Sequence, residues 1–268
     1  MQTDFAPVKE QRTEQFHYLD PNPTGNPVLI LLHGLGSNST SWGYQIPVLL
    51  GAKTRPIPVD LPGFGKSIYS ERNWNIRIIA GKTAEFVRRI SPTPCTVVGI
   101  SMGGTIALQL CLDYPELVER LVLVSTFATL RPKRLHECVY LISRFIKANL
   151  RGVNAQAEMV ARRIFPKPEQ EVLRQTLKQQ ILQADPNAYV SAMRALGLFD
   201  VTKRLHEISV PTLVISGKDD TTVPLENQSE LTRKIHGARQ VIIPGGGHAI
   251  IAEQPELFNQ VLLEFLAI

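Results

Sequence analysis

The sequence predicts an α/β fold: a mostly parallel central sheet flanked by helices, with a purely helical segment inserted in it. Three observations carry that expectation. Short apolar or β-branched runs at Val28–Leu32 and at residues 96–98 and 121–124 suit strands covered on both faces, and amphipathic runs separate them. Between residues 128 and 205 the alternation stops, and only helical patterns are found, at 135–150, 153–165, 169–184 and 188–199. From residue 211 strand-like and helix-like runs alternate again. The expected division is a core made of residues 1–127 and 208–268 around an inserted helical subdomain at 128–207.

In chain order, residues 16–20 read as a short strand ended by Asp20-Pro-Asn-Pro-Thr-Gly-Asn-Pro, a turn whose residues cannot continue a ladder. Val28–Leu32 runs into His33-Gly34-Leu35-Gly36, followed by an amphipathic stretch at 41–50. Glycines there let the backbone approach a ligand closely, and the amide of Leu35 is a candidate donor to a substrate oxygen. His33, at a strand end, suits a structural hydrogen bond better than a role as base. Residues 56–60 form another strand, before Asp60-Leu-Pro-Gly-Phe-Gly-Lys-Ser67. Gly65-Lys66-Ser67 imitates a phosphate loop, but that motif needs glycine where Asp60 stands and a helix directly after the serine, where Ile-Tyr-Ser-Glu-Arg-Asn follows. Nucleotide binding is therefore rejected. A helix is expected over 75–90, with Ile76, Ile79, Ala80, Thr83, Ala84, Phe86 and Val87 on one apolar stripe and Pro92 and Pro94 ending it.

Residues 97–104, Val-Val-Gly-Ile-Ser-Met-Gly-Gly, read as a buried strand that turns sharply into a helix over Met102–Asp113. A strand that reverses into a helix leaves little room for side chains, so glycine is required at Gly99 and Gly103, either side of Ser101. The turn holds the serine oxygen clear of the sheet. The first helical amides, that of Met102 among them, point at the same place and can stabilise charge developing on a substrate oxygen. Gly-x-Ser-x-Gly alone would occur by chance in about one chain in ten of this length; the strand before it and the helix after it give it weight.

Beyond the insertion, residues 211–216 form a strand leading to Gly217-Lys-Asp-Asp-Thr-Thr-Val-Pro224, a helix covers 225–236, and residues 240–243 form the last strand before Pro244-Gly-Gly-Gly-His248 and a closing helix at 253–266. Ser101, the acidic pair Asp219 and Asp220, and His248 each fall just past the carboxyl end of a strand, where open parallel sheets bind their ligands. A serine hydroxyl is a poor nucleophile unless a histidine takes its proton and a carboxylate fixes that histidine's tautomer. His17, His136, His206 and His236 lie in strand or helix patterns without a matching partner, and surface or packing roles are expected for them.

Composition narrows the classes. The 268 residues are 44% hydrophobic, enough for a full core. No apolar run approaches the roughly 18 residues of a membrane span, and the opening residues lack a basic-then-apolar secretory pattern, so a cytoplasmic compartment is expected. Cys95, Cys111 and Cys138 are odd in number and set among apolar residues, as buried thiols are, which argues against disulfides or a metal site. The net charge of +5 is unevenly spread: residues 127–208 hold 14 Lys or Arg against 7 Asp or Glu, and the rest of the chain 15 against 17. Dispersed charge without interleaved aromatics reads as a solvated helical face, not a nucleic-acid surface, although it would also suit anionic substrates.

Together, His33-Gly34-Leu35-Gly36, Asp60-Leu-Pro-Gly-Phe-Gly-Lys-Ser67, Gly99-Ile-Ser101-Met-Gly103-Gly104, Gly217-x-x-Asp220-x-x-x-Pro224 and Gly247-His248 resemble the α/β-hydrolase family, over nearly the whole chain and in the serine branch with a helical cap. The resemblance implies Ser101 as nucleophile, His248 as general base and acid, and an oxyanion hole from the Leu35 and Met102 amides. Its spacing from Gly217 and to Pro224 selects Asp220 over Asp219. Serine at the turn, where dehalogenases and epoxide hydrolases of this fold carry aspartate, favours reaction at an acyl carbon, and long-chain lipase activity is disfavoured. The expected activity is hydrolysis of a small carboxylic ester through an acyl-serine, by a monomer or homodimer with no metal or organic cofactor. The alternatives are an enol-lactone or carbon–carbon bond hydrolase acting on anionic aromatic-degradation products, and a ligand-binding, receptor-like member.

Overall fold

The computed structural model describes residues 10–13, 15–69, 74–130 and 152–267. Eight strands are found there: β1 (Glu10–Arg12), β2 (His17–Leu19), β3 (Val28–Leu32), β4 (Arg55–Val59), β5 (Cys95–Ile100), β6 (Val118–Val124), β7 (Thr212–Gly217) and β8 (Arg239–Ile243). They form one sheet in the order β1-β2-β4-β3-β5-β6-β7-β8. All neighbours from β4 to β8 run parallel, and β1 and β2 attach antiparallel at the β4 edge. β3 and β5 therefore sit side by side, with Leu32 opposite Gly99, so the turns leaving both strands share one end of the sheet.

Each central strand divides its side chains between two cores, as a two-residue repeat demands. Leu29, Leu31, Val98, Ile100, Val122 and Val124 face Ile46 and Leu49 of α1 (Ile46–Gly51) and Phe258 and Leu262 of α9 (Pro255–Leu266). Ile30, Leu32, Val97, Leu121 and Leu123 face the other way, onto Ile79 and Phe86 of α2 (Ile76–Ile90) and Ile106 and Leu110 of α3 (Met102–Asp113). Covering both faces is why these strands carry no polar alternation. α2 buries the seven residues of the expected stripe, and its first turn is capped by Asn75, whose side chain accepts from the Ile78 amide at 2.9 Å.

Between β6 and β7 the described residues hold α4 (Gly152–Ile164), α5 (Glu171–Gln183) and α6 (Pro186–Leu198), with no strand among them. The two ends of this segment meet at an isolated bridge between Thr129 and Asp200, tightened by the Val201 amide donating to Ala128 O at 3.1 Å. Its apolar faces, with Ala157, Ala161, Leu177, Ile181, Ala188 and Tyr189, merge with the α2/α3 side of the core. The remaining helices are α7 (Leu225–Lys234) and α8 (Ile250–Glu253). None of the described helices is long and apolar enough to cross a membrane.

The structure amends several expectations. β1 is a three-residue polar edge strand without a hydrophobic pattern to reveal it. α6 begins at Pro186, not after it: Asp185 caps it by accepting from the Asn187 and Ala188 amides, and proline suits the first helical position. The closing helix is broken at Gln254, since a residue before proline avoids helical geometry. His17 has a partner after all: it is buried, and its Nδ1 lies 2.7 Å from Asp60 Oδ2. His206 and His236 are exposed. The helix expected at 135–150, with His136 and Cys138, lies outside the described residues. Cys95 and Cys111 are buried thiols, and burial pushes both up to about 12.

Candidate active site

The turn between β5 and α3 is built by what it excludes. A Cβ at Gly99 would lie 2.3 Å from Gly103 O, and one at Gly103 would lie 2.2 Å from Leu32 O. Only glycine lets β3, β5 and the start of α3 pack this closely. Ser101 itself takes φ 52° and ψ −113°, a left-handed geometry that costs a side-chain-bearing residue about 1–3 kcal/mol. Three hydrogen bonds hold it there. Its amide donates to Val124 O at 2.9 Å, and its carbonyl accepts from the Thr105 amide at 3.1 Å and from Thr126 Oγ1 at 2.7 Å.

The loop after β7 carries Asp220 and the loop after β8 carries His248, and Gly217 lets the two close on each other, since a Cβ there would stand 2.2 Å from Gly247 O. His248 Nε2 lies 3.0 Å from Ser101 Oγ, and its Nδ1 lies 2.9 Å from Asp220 Oδ2. Ionised aspartate is acceptor-only, so Nδ1 carries the proton and Nε2 is left to accept from the serine hydroxyl. Asp220 is buried and fully engaged: Oδ1 accepts from the Thr222 and Val223 amides at 2.8 and 2.9 Å, and Oδ2 also accepts from Gln228 Nε2 at 3.1 Å. Burial alone would raise this carboxyl, but His248 and the two amides outweigh it and hold it below the ordinary aspartate range. Asp219 is exposed, and its amide donates to Gly246 O at 2.9 Å.

Gly34 rests against Ser101, the site of a Cβ there lying 3.6 Å from Ser101 Cβ, and Leu35 lines the same cavity. Met102 is buried as the first residue of α3, where helix amides have no acceptor within the helix. His33 is fully buried, with Nδ1 2.8 Å from Gly34 O and Nε2 accepting from the Leu61 amide at 3.0 Å. Burial pushes its imidazole pKa down, and with both nitrogens occupied it fixes the two loops instead of serving as a base. Asp60 explains its glycine-rich motif: it accepts from the Ser39 and Lys66 amides at 2.6 and 2.9 Å, and a Cβ at Gly65 would collide with its carboxyl.

Ser101 and His248 open onto a cavity of about 540 Å³, within the usual range for small-molecule sites. Its wall is mainly apolar, with Phe127, Val160, Phe165, Leu173, Leu177 and Leu196 contributed largely by the insertion, and Arg163 brings a positive charge to it. Arg163 also donates to Thr221 O, beside Asp220. Sequence reasoning did not identify Thr126, Gln228, Arg163 or Gln180, because nothing in one chain marks which polar residue of a helix or strand end turns inward. It also missed Glu253, which accepts from Gln170 at 2.9 Å beside Gly247 and whose carboxyl is pushed up by burial. Among the described residues no cluster of His, Cys, Asp or Glu is arranged to hold a metal ion.

Relatives match the chain over most of their length. The chain is 29% identical over 260 residues to a Variovorax paradoxus protein named "Putative carbamate hydrolase RutD", covering 94% of this chain and 96% of that one. It is also 29% identical to the 2-hydroxy-6-oxononadienedioate/2-hydroxy-6-oxononatrienedioate hydrolase of Burkholderia vietnamiensis, covering 98% and 94%. Among solved structures, a thermophilic esterase from Thermogutta terrifontis superposes with a TM-score of 0.81 at 25% identity, covering 97% of each chain. A model of the alpha/beta hydrolase family matches residues 29–261. With that match spanning most of the chain and the sheet order and loop placement described above, the chain belongs to the alpha/beta hydrolase family.

Proposed function

We propose that the protein hydrolyses small carboxylic esters through an acyl-serine intermediate. The observation that carries this reading is the hydrogen-bonded series Asp220, His248, Ser101, ending at the wall of an apolar cavity. Ser101 Oγ attacks the ester carbon while its proton passes to His248 Nε2, and the carbonyl oxygen becomes an oxyanion facing the Leu35 and Met102 amides. The oxyanion collapses, the carbon–oxygen bond to the alcohol breaks, and His248 returns the proton to the departing oxygen. A water molecule then repeats the sequence, giving its proton to His248, and releases the acid. Asp220 stabilises the imidazolium formed in both halves. The segment at 128–207 acts as a cap that sets the size of acyl group admitted.

A second reading, hydrolysis of an anionic enol-lactone or of a carbon–carbon bond, draws on Arg163 in the cavity wall and on the name of the Burkholderia relative. One experiment separates them. Turnover of p-nitrophenyl acetate through laurate is compared with that of an ester bearing a terminal carboxylate, in wild type and Arg163→Gln. Ester hydrolysis peaking at short or medium chains, with Arg163→Gln changing neutral esters less than threefold, supports the first reading. Negligible turnover of neutral esters and a KM for the anionic ester raised about tenfold by Arg163→Gln would favour the second.

A further inference from the structure

The insertion reaches the core through polar side chains as well as apolar ones, and one of these is buried against the loop leaving β3. Gln180, on α5, is 8% exposed. Its Oε1 accepts from Ser37 Oγ at 2.9 Å, and its Nε2 donates to Thr40 Oγ1 at 2.9 Å and to Asn38 Oδ1 at 3.3 Å. Asn38 Oδ1 also accepts from the Thr40 amide at 3.0 Å and the Thr40 hydroxyl at 2.6 Å, and the Ser37 amide donates to Gly34 O at 3.1 Å. One amide side chain thus ties together the segment that carries Leu35. The same segment is bounded by the insertion at Gly36, whose φ is +78° and where a Cβ would stand 2.6 Å from Ile181 Cγ1 and 3.0 Å from Tyr189 Cε2. On its other side, Gly34 rests on Ser101.

Leucine would fill this position but leave the buried Ser37 hydroxyl without the acceptor Gln180 supplies, so the glutamine does more than fill space. What it adds is direction: three hydrogen bonds fix one loop in one orientation. We propose that Gln180 is a positioning residue for hydrolysis, locking residues 37–40 and so holding the Leu35 amide where the oxyanion forms. The inference rests on the acyl-serine reading above. A loop displaced by a fraction of an ångström still admits substrate, because the neutral carbonyl asks little of it. It stabilises the charged oxygen less well, so the loss falls on kcat more than on KM.

Gln180→Met tests this by keeping the length and apolar stem of the side chain while removing all three hydrogen bonds; Gln180→Glu keeps the acceptor for Ser37 and loses the amide donor. Each is assayed with p-nitrophenyl acetate and butyrate and with an alkyl trifluoromethyl ketone, to which Ser101 Oγ adds, placing a charged oxygen in the same position. Melting temperature reports folding. In Gln180→Met we expect kcat to fall about tenfold for both esters with KM within twofold, and the ketone to bind more weakly by the same factor as kcat/KM. Gln180→Glu is expected to lie between the two. Unchanged kcat, a loss confined to KM, or ketone affinity that does not follow kcat/KM would overturn the proposal. Should Gln180→Met fail to fold, Ser37→Ala combined with Thr40→Val removes two of the three partners from the core side, leaving the 3.3 Å bond to Asn38, and must give the same division between kcat and KM. The two readings fail differently: wild type without Ser101-dependent turnover removes both, whereas Ser101-dependent turnover with unaltered kcat in Gln180→Met removes this one alone.

Discussion

Asp219 and Asp220 are adjacent carboxylates in opposite surroundings, one exposed and one holding four hydrogen-bond donors, His248 among them. Asp220→Asn is therefore expected to lower turnover by about 10⁴, because the amide leaves the imidazole in the wrong tautomer, while Asp219→Asn stays within about twofold. Ester kinetics on the two variants check this, and the reverse order would assign the role to Asp219. Asp60 makes a separate prediction about stability. Burial alone would raise its carboxyl, yet the Lys66 and Ser39 amides hold it below the ordinary value of 3.8. A depressed pKa contributes stability that is fully present above the unfolded value and lost as pH falls through the folded one. Urea unfolding should show Asp60→Asn less stable by on the order of 3 kcal/mol at pH 7, with the gap closing below about pH 4. A gap independent of pH would mean that Asp60 acts by shape alone. At this scale Ser101, Asp220 and His248, which lie within hydrogen-bond distance in series, could be singled out because each stands in a motif that resembles those of the family. The contacts of Gln180, of Gln228 and between His17 and Asp60 were hidden, since each is made only when the chain folds back on itself.

At the scale of elements, the site depends on backbone approaches that no side chain could survive. Gly103 sits against Leu32 O, so Gly103→Ala forces α3 away from β3 and with it Ser101 away from the Leu35 loop. Overpacking of this kind costs about 1–3 kcal/mol, and activity should fall at least a hundredfold in protein that still folds. Denaturant melts and ester turnover on Gly103→Ala measure both, and near-wild-type activity would show that the approach is not needed. Elements covered by the core were readable: β3 and α3 fall where their apolar runs end, and the buried face of α2 is the one its spacing predicts. The polar edge strand β1 was not, because its pairing with β2 comes from backbone hydrogen bonding. Capping by Asp185 also moved the start of α6 to a proline that reads, in isolation, as a stop.

For the whole molecule, the parallel sheet brings four loops to one end, those after β3, β5, β7 and β8, and the insertion packs over them. The insertion touches two of these loops and the helix after a third with polar side chains: Gln180 on the β3 loop, Arg163 on the β7 loop and Gln170 on Glu253 at the end of α8. Its basic surplus is partly absorbed locally, as Lys178 and Arg162 share Glu158, Arg174 pairs with Glu171, and Arg204 bridges Asp113 and Glu207. That pattern suits a solvated helical surface, as the dispersed charge suggested, with Arg163 set apart by its place in the cavity wall. Alternation of strand and helix made the sheet and its interruption legible, but not the way helices with several apolar positions turn over the site. All of this arrangement converges on one oxygen atom, Ser101 Oγ. The most direct measurement is to react wild type and Ser101→Ala with a fluorophosphonate, locate the adduct by peptide mass, and follow p-nitrophenyl ester turnover alongside. The expected result is one adduct, on Ser101, with turnover lost in step with labelling and reduced about 10⁶-fold in Ser101→Ala. An adduct elsewhere, or ester turnover that survives in Ser101→Ala, would contradict it.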